Sequence, residues 1–200
     1  NFRSRTINRI SSIVLAGGKG VRMQSELPKV LHPLCGKPLI RHVVDSLKAA
    51  DIHDIVVVVG YKGEEVIRAL GNCVTYVWQY EQLGTGHAVM QAEECFRDFE
   101  GYVIVACGDV PLVKPQTFRK LAEEVTSSQC GAVVATMILD NPTGYGRIVY
   151  DDGKFSRIVE EKDASLEEKK IKEVNSGTYI FDSKLLFEGL KGIDTNNAQK

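Results

Sequence analysis

Apolar residues cluster in continuous runs bounded by turn formers at 12–15, 55–60, 74–78, 102–107 and 132–139. Unbroken rather than alternating hydrophobicity is the pattern of strands covered on both faces. Helical spacing lies between them: Leu39, Ile40, Val43, Val44 and Leu47 follow Pro38, with Arg41, Asp45 and Lys48 on the opposite side. Further helices are expected at 64–70, 85–95 and 115–127. Strands alternating with helices predict right-handed crossovers and an α/β fold: a three-layer, Rossmann-like, mostly parallel sheet. Ligands of such a sheet bind beyond the C-terminal ends of its strands.

The last third changes character. Residues 145–150 and 155–159, joined through Asp151-Asp152-Gly153-Lys154, read as a β-hairpin. Residues 160–172 are dense in charge and read as a solvated loop with a short helix, and 177–181 as a further strand. This part is expected to form a small β-rich subdomain rather than a second domain. Residues 1–10 carry three arginines in an aperiodic setting and read as an extension, leaving 11–200 as the folded domain.

Composition narrows the function. Twenty-five basic side chains against 26 acidic ones give a formal net charge of −1, so no overall field recruits nucleic acid or an anionic membrane, and an anion site must be local. The five cysteines, Cys35, Cys73, Cys95, Cys107 and Cys130, are widely spaced without a zinc pattern. Together with the lack of a spanning hydrophobic run or signal core, they point to reduced thiols in the cytoplasm.

The first strand runs into Leu15-Ala16-Gly17-Gly18-Lys19-Gly20-Val21-Arg22-Met23. Its glycines permit positive φ and bring backbone N–H groups close to an anion, and Lys19, Arg22 and Lys29 add mobile charge. The loop is neither a P-loop, which needs Lys then Ser or Thr after its last glycine, nor a Rossmann fingerprint, which needs a glycine where Met23 stands. A nucleoside triphosphate fits it. The bland alternative is an ordinary strand-to-helix turn.

Gly108-Asp109-Val110-Pro111 ends the fourth apolar run, on the same sheet edge. A lone carboxylate there suits Mg²⁺, which is held by one or two carboxylates plus substrate phosphates and water; otherwise Asp109 simply caps a turn. Residues 79–88 join a strand to a helix through Gly84, Thr85 and Gly86, and the Gln79 amide offers a donor and an acceptor to the edge of a uracil. Thr85 as a helix N-cap is the structural alternative. His32, His42, His53 and His87 form no metal pair, and no Ser/His/Asp set can be assembled. A phosphate monoester nucleophile needs no base, since it is largely ionised at pH 7.

On these residues, together with 27–31, 142–148, 158–164 and 175–177, the chain resembles the sugar nucleotidyltransferases, within them the N-acetylglucosamine-1-phosphate uridylyltransferase domain of enzymes that also carry a glucosamine-1-phosphate acetyltransferase. The likeness runs over about residues 11–199. It implies a mixed sheet of the nucleotide-diphospho-sugar transferase type with a sugar-binding subdomain. The implied reaction is Mg²⁺-dependent: UTP and N-acetylglucosamine 1-phosphate give UDP-N-acetylglucosamine and pyrophosphate, for cell-wall peptidoglycan precursor synthesis.

By the same resemblance Leu15, Ala16, Gly17 and Gly18 line ribose and phosphates, and Arg22 and Lys29 act at the triphosphate. Gln79, Gly84 and Thr85 receive uridine, Cys107 and Gly108 supply backbone near Asp109, and Asp109 holds the metal. Gly146, Glu160 and Asn175 bind the acetamido sugar. Two departures stand out: the family often has Leu-Ala-Ala-Gly where this chain has Leu15-Ala16-Gly17-Gly18, and its second metal ligand, an asparagine, would fall beyond residue 200. The acetyltransferase β-helix, through which full-length members would form homotrimers, would fall there too, so this chain is expected to be weakly active or inactive by itself. Two other readings remain open: transfer to another sugar phosphate or from another nucleotide, and a non-catalytic nucleotide-sugar-binding module.

Overall fold

A computed structural model describes residues 9–20 and 25–192 of the chain. It falls into two compact units, residues 1–133 with 179–200 and residues 134–178.

The first unit is built on strands β1 (Arg9–Ala16), β4 (Ile55–Val59), β5 (Thr75–Trp78) and β6 (Gly101–Cys107), in the order β5-β4-β1-β6 and all parallel. Every residue of β4 is buried, as its unbroken Ile55-Val56-Val57-Val58-Val59 run predicts. A two-residue hairpin, β2 (Pro33–Leu34) with β3 (Lys37–Pro38), precedes helix α1 (Leu39–Ala49); helices α2 (Gly63–Leu70), α3 (Thr85–Met90) and α4 (Pro115–Ser128) fill the crossovers. Pro115 starts α4 where its missing N–H costs nothing.

One apolar layer joins Ile13, Val56, Val58, Val103 and Val105 of the sheet to Ala88 and Val89 of α3 and to Phe96 and Phe99. Leu186, Phe187 and Leu190 of α5 (Ser183–Lys191) complete it. Asp182 caps α5 by accepting from the N–H groups of Lys184 and Leu185.

The second unit takes in most of β7 (Ala132–Ile138), with β8 (Arg147–Asp151), β9 (Lys154–Val159) and the first part of β10 (Glu173–Asp182). β8 and β9 form the expected hairpin, turning at Asp152 and Gly153, both at positive φ. β7 corrects one expectation. The run at 132–139 reads as a doubly covered strand, yet no residue of β7 is buried, each being exposed or half-buried, and Ile138 is 71% exposed. The last strand also differs in its start: β10 begins four residues earlier than expected; its Tyr179–Asp182 runs antiparallel to β6, which makes the sheet mixed, as the resemblance implies. The helix expected over 85–95 stops at Met90, and Glu93–Phe96 tightens into a 3-10 turn.

Candidate active site

The C-terminal ends of β1 and β6 and the loop after β5 enclose a cavity of about 370 Å³ in the first unit. Its floor is Leu15, Ala16, Gly17 and Gly18; Gln79, Gly84 and Thr85 form one wall, and Cys107, Asp109 and Lys29 another. These residues lie up to 94 positions apart in sequence, and β1, flanked by β4 and β6, brings them together. Gly108 stands behind the wall: its N–H donates to Leu15 O at 2.9 Å, and a Cβ there would lie 3.0 Å from that oxygen. Arg22 lies outside the described residues.

The glycine loop is held by its own backbone groups. Gly17 O accepts from the Tyr61 N–H at 3.2 Å and from the Gln82 side chain at 2.5 Å. Gly20, at φ +64°, lies against Lys29 so closely that a Cβ would stand 2.8 Å from the lysine's Cβ. Glycine there is a steric requirement that puts the cation beside the loop. Lys29 Nζ pairs with Asp109 Oδ2 at 2.5 Å, both side chains partly open to solvent.

Two expectations need correcting. Lys19 does not line this cavity; its ammonium sits 5.4 Å from the centroid of the Tyr61 ring. Cation–π attraction holds it there while solvent stays in reach. The cap of α3 is Gly84, at φ 106°, and not Thr85. Sequence reasoning passed over Gln82, whose amide lines the cavity and ties the loop to Gly17. Its only signal was a polar side chain within the 79–88 segment.

Cys107 is pushed up to about 11 from an ordinary 9.0, first by burial and then by the nearby Asp109 charge, with Lys29 opposing. The neutral thiol is therefore a packing group at neutral pH. Iodoacetamide should label Cys107 slowly at pH 8 and progressively faster as pH rises from 9 to 11, read by peptide mass spectrometry. The sign for stability follows: the unfolded thiol ionises first, so stability present below pH 9 is lost as pH rises toward 11.

In the second unit Gly146, Glu160 and Asn175 come together. The Asn175 N–H donates to Gly146 O at 2.8 Å, and a Cβ on Gly146 would lie 3.1 Å from Glu160 Oε1. Beneath them Arg147, 1% exposed, pairs with Glu161 at 2.7 Å. The Gly144 N–H and Arg147 draw the Glu161 carboxyl below the usual range.

A glycine-rich turn after the first strand, with the Lys29–Asp109 pair on a neighbouring wall, makes a cavity whose groups suit a polyphosphate. The chain belongs to the MobA-like NTP transferase domain family, whose model matches residues 12–152. It is 47% identical over 189 residues to the bifunctional protein GlmU of Geobacillus sp. strain WCH70 and 49% identical over 189 residues to that of Halalkalibacterium halodurans. Each alignment takes in 94% of this chain but only 41% and 42% of those proteins, so the chain spans about two fifths of their length. These relatives bear out the resemblance to the bifunctional enzymes read from the motifs.

Among solved structures, a Bacillus anthracis protein provisionally named a glucose-1-phosphate thymidylyltransferase, in complex with a sucrose, superposes with a TM-score of 0.77 at 27% identity, over 93% of this chain and 76% of its own. A UDP-glucose pyrophosphorylase complexed with UDP-glucose shares the fold, with a TM-score of 0.72 at 21% identity over 94% of this chain and 81% of its own. The fold is therefore the mixed, mostly parallel sheet of the nucleotide-diphospho-sugar transferases. No described helix is long and apolar enough to cross a membrane.

Proposed function

We propose that the chain transfers UMP from UTP to N-acetylglucosamine 1-phosphate, giving UDP-N-acetylglucosamine and pyrophosphate. The observation that carries this reading is the convergence of the glycine loop, Lys29, Asp109 and Gln79 on one cavity. The glycine N–H groups and Lys29 hold the triphosphate, and Gln79 with Gly84 takes the base. Leu15 and Ala16 shape the ribose end, and Cys107 and Gly108 present backbone beside Asp109. Gly146, Glu160 and Asn175 offer a carbonyl, a carboxylate and an amide, the groups that pair with sugar hydroxyls and an acetamido group. Arg22 is the second cation for the departing pyrophosphate.

The attacking oxygen belongs to an ionised phosphate, so the chain supplies no base. Its work is to hold that oxygen in line with the α-phosphorus and to screen charge as pyrophosphate leaves. Among the described residues no three His, Cys, Asp or Glu side chains gather as a metal cage. Asp109 nevertheless fits Mg²⁺, because a single partly open carboxylate beside a triphosphate site leaves the remaining coordination to phosphate oxygens and water. When bound, the metal supplies Lewis-acid charge neutralisation. The unbridged cysteines agree with a reducing, cytoplasmic setting.

Pyrophosphate release measured with each of the four common NTPs, several sugar 1-phosphates and Mg²⁺ tests the proposal. Turnover with UTP and N-acetylglucosamine 1-phosphate above every other pair is expected. Equal turnover across nucleotides, or preference for another sugar, overturns it.

Gly17→Ala gives a narrower check. The new Cβ would meet Gln79 Oε1 at 2.8 Å and the Gly60 backbone at 3.6 Å, so the base-reading amide must move. UTP affinity is expected to fall about tenfold, the loss of one well-placed hydrogen bond to the base, as measured by calorimetry.

A further inference from the structure

Both donors of the Gln79 amide are in use before any ligand arrives. Its Nε2 lies 3.1 Å from Gly84 O and 3.1 Å from Nδ1 of His87. A primary amide has two N–H groups, and a carbonyl oxygen only accepts. The Gly84 contact therefore decides which end of the Gln79 amide is nitrogen, and Nδ1 of His87 must accept the second N–H.

The ring's proton then sits on Nε2. There the Gln91 amide, one helical turn on, lies 3.2 Å away and also reaches His87 O at 3.1 Å. A neutral imidazole has one acceptor nitrogen, so it cannot take N–H groups from both glutamines, and one amide must present its oxygen instead. Turning Gln79, which is 5% exposed, would bury its oxygen against Gly84 O, whereas Gln91 is only half-buried and, once turned, can replace its bond to His87 O with water. Gln91 yields and Gln79 stays fixed.

What remains of Gln79 for a ligand is Oε1, the atom that faces Gly17 on the cavity floor. This revises the expectation that the amide reads a base edge with both a donor and an acceptor. We propose that His87 is a positioning residue for base choice: with Gly84 O it locks Gln79 oxygen-outward, so the site takes a base whose edge carries a ring N–H, as uracil does, and rejects cytosine, whose ring nitrogen there is an acceptor. The inference rests on the uridine reading and deepens it.

Calorimetric titration with Mg·UTP and Mg·CTP of the unsubstituted chain, His87→Ala, His87→Leu and His87→Asn is the test, with circular dichroism to confirm folding. Asparagine keeps an oxygen acceptor close to the position of Nδ1; alanine and leucine keep none, and having two such variants covers a folding failure in either. The unsubstituted chain should favour UTP. That preference should fall about fivefold in the alanine and leucine variants, one anchoring hydrogen bond being lost, and return in His87→Asn. Undiminished preference in the alanine and leucine variants, or its loss in His87→Asn as well, overturns this inference while leaving the uridine reading intact. An unsubstituted chain that binds neither nucleotide, or both alike, overturns the uridine reading and this inference with it.

Discussion

Asp109→Asn is expected to lower turnover with UTP and N-acetylglucosamine 1-phosphate by about 10²- to 10³-fold, the range for loss of one preorganised charge-stabilising group, while UTP affinity changes by less than about tenfold. The substitution keeps shape and removes charge. A neutral amide oxygen can still ligate a dication but lacks the carboxylate's charge, so the cost falls on charge that develops as pyrophosphate departs. Binding is cushioned by Lys29: its ammonium, 2.5 Å from Asp109 Oδ2, no longer shares its charge with that carboxylate and holds the triphosphate more strongly. Steady-state kinetics beside calorimetry separate the two effects. Equal losses in turnover and affinity would show that Asp109 merely shapes the pocket.

The largest structural effect is expected from Gly101→Ala, at the first residue of β6. Its φ is +155°, and a Cβ there would lie 2.1 Å from Arg9 O and 3.2 Å from the Phe99 ring. Arg9 is the residue that pairs with Gly101 in the β1–β6 ladder, so relief requires the two strands to part at their shared start. Backbone against backbone cannot be eased by a rotamer change. A loss of about 1–3 kcal/mol follows, the range for a strained backbone position, or roughly 2–12 °C in melting temperature for a domain of this size. Thermal unfolding by circular dichroism measures it, and an unchanged melting temperature would mean that β1 and β6 do not meet there. Since β1 carries the glycine loop and β6 carries Asp109, ligand affinity should fall together with stability.

Much of this was written locally. Ile55 through Val59 are apolar without interruption, and β4 is buried without interruption. The loop at 17–20 announced itself through its glycines, and Asp109 through standing alone at the end of an apolar run. Local pattern misled where apolar residues lack a covering layer. Nothing in Ala132–Ile138 says whether a second face will be packed, and β7 remains half open. Lys19 misled for another reason: neighbouring cations in sequence need not share a direction, and Tyr61, forty-two residues away, draws this one aside.

The sequence by itself determined the alternation of strands and helices, and with it the sheet edge at which the cavity opens, because hydrophobic period and glycine placement act over a few residues. Only the tertiary structure decided that Lys29 meets Asp109, that Gly101 must lie against Arg9, and that Gln79 has its donors taken by Gly84 and His87. Those are matters of which atoms stand within about 3 Å of each other, and chain folding sets such distances between residues that local pattern cannot relate.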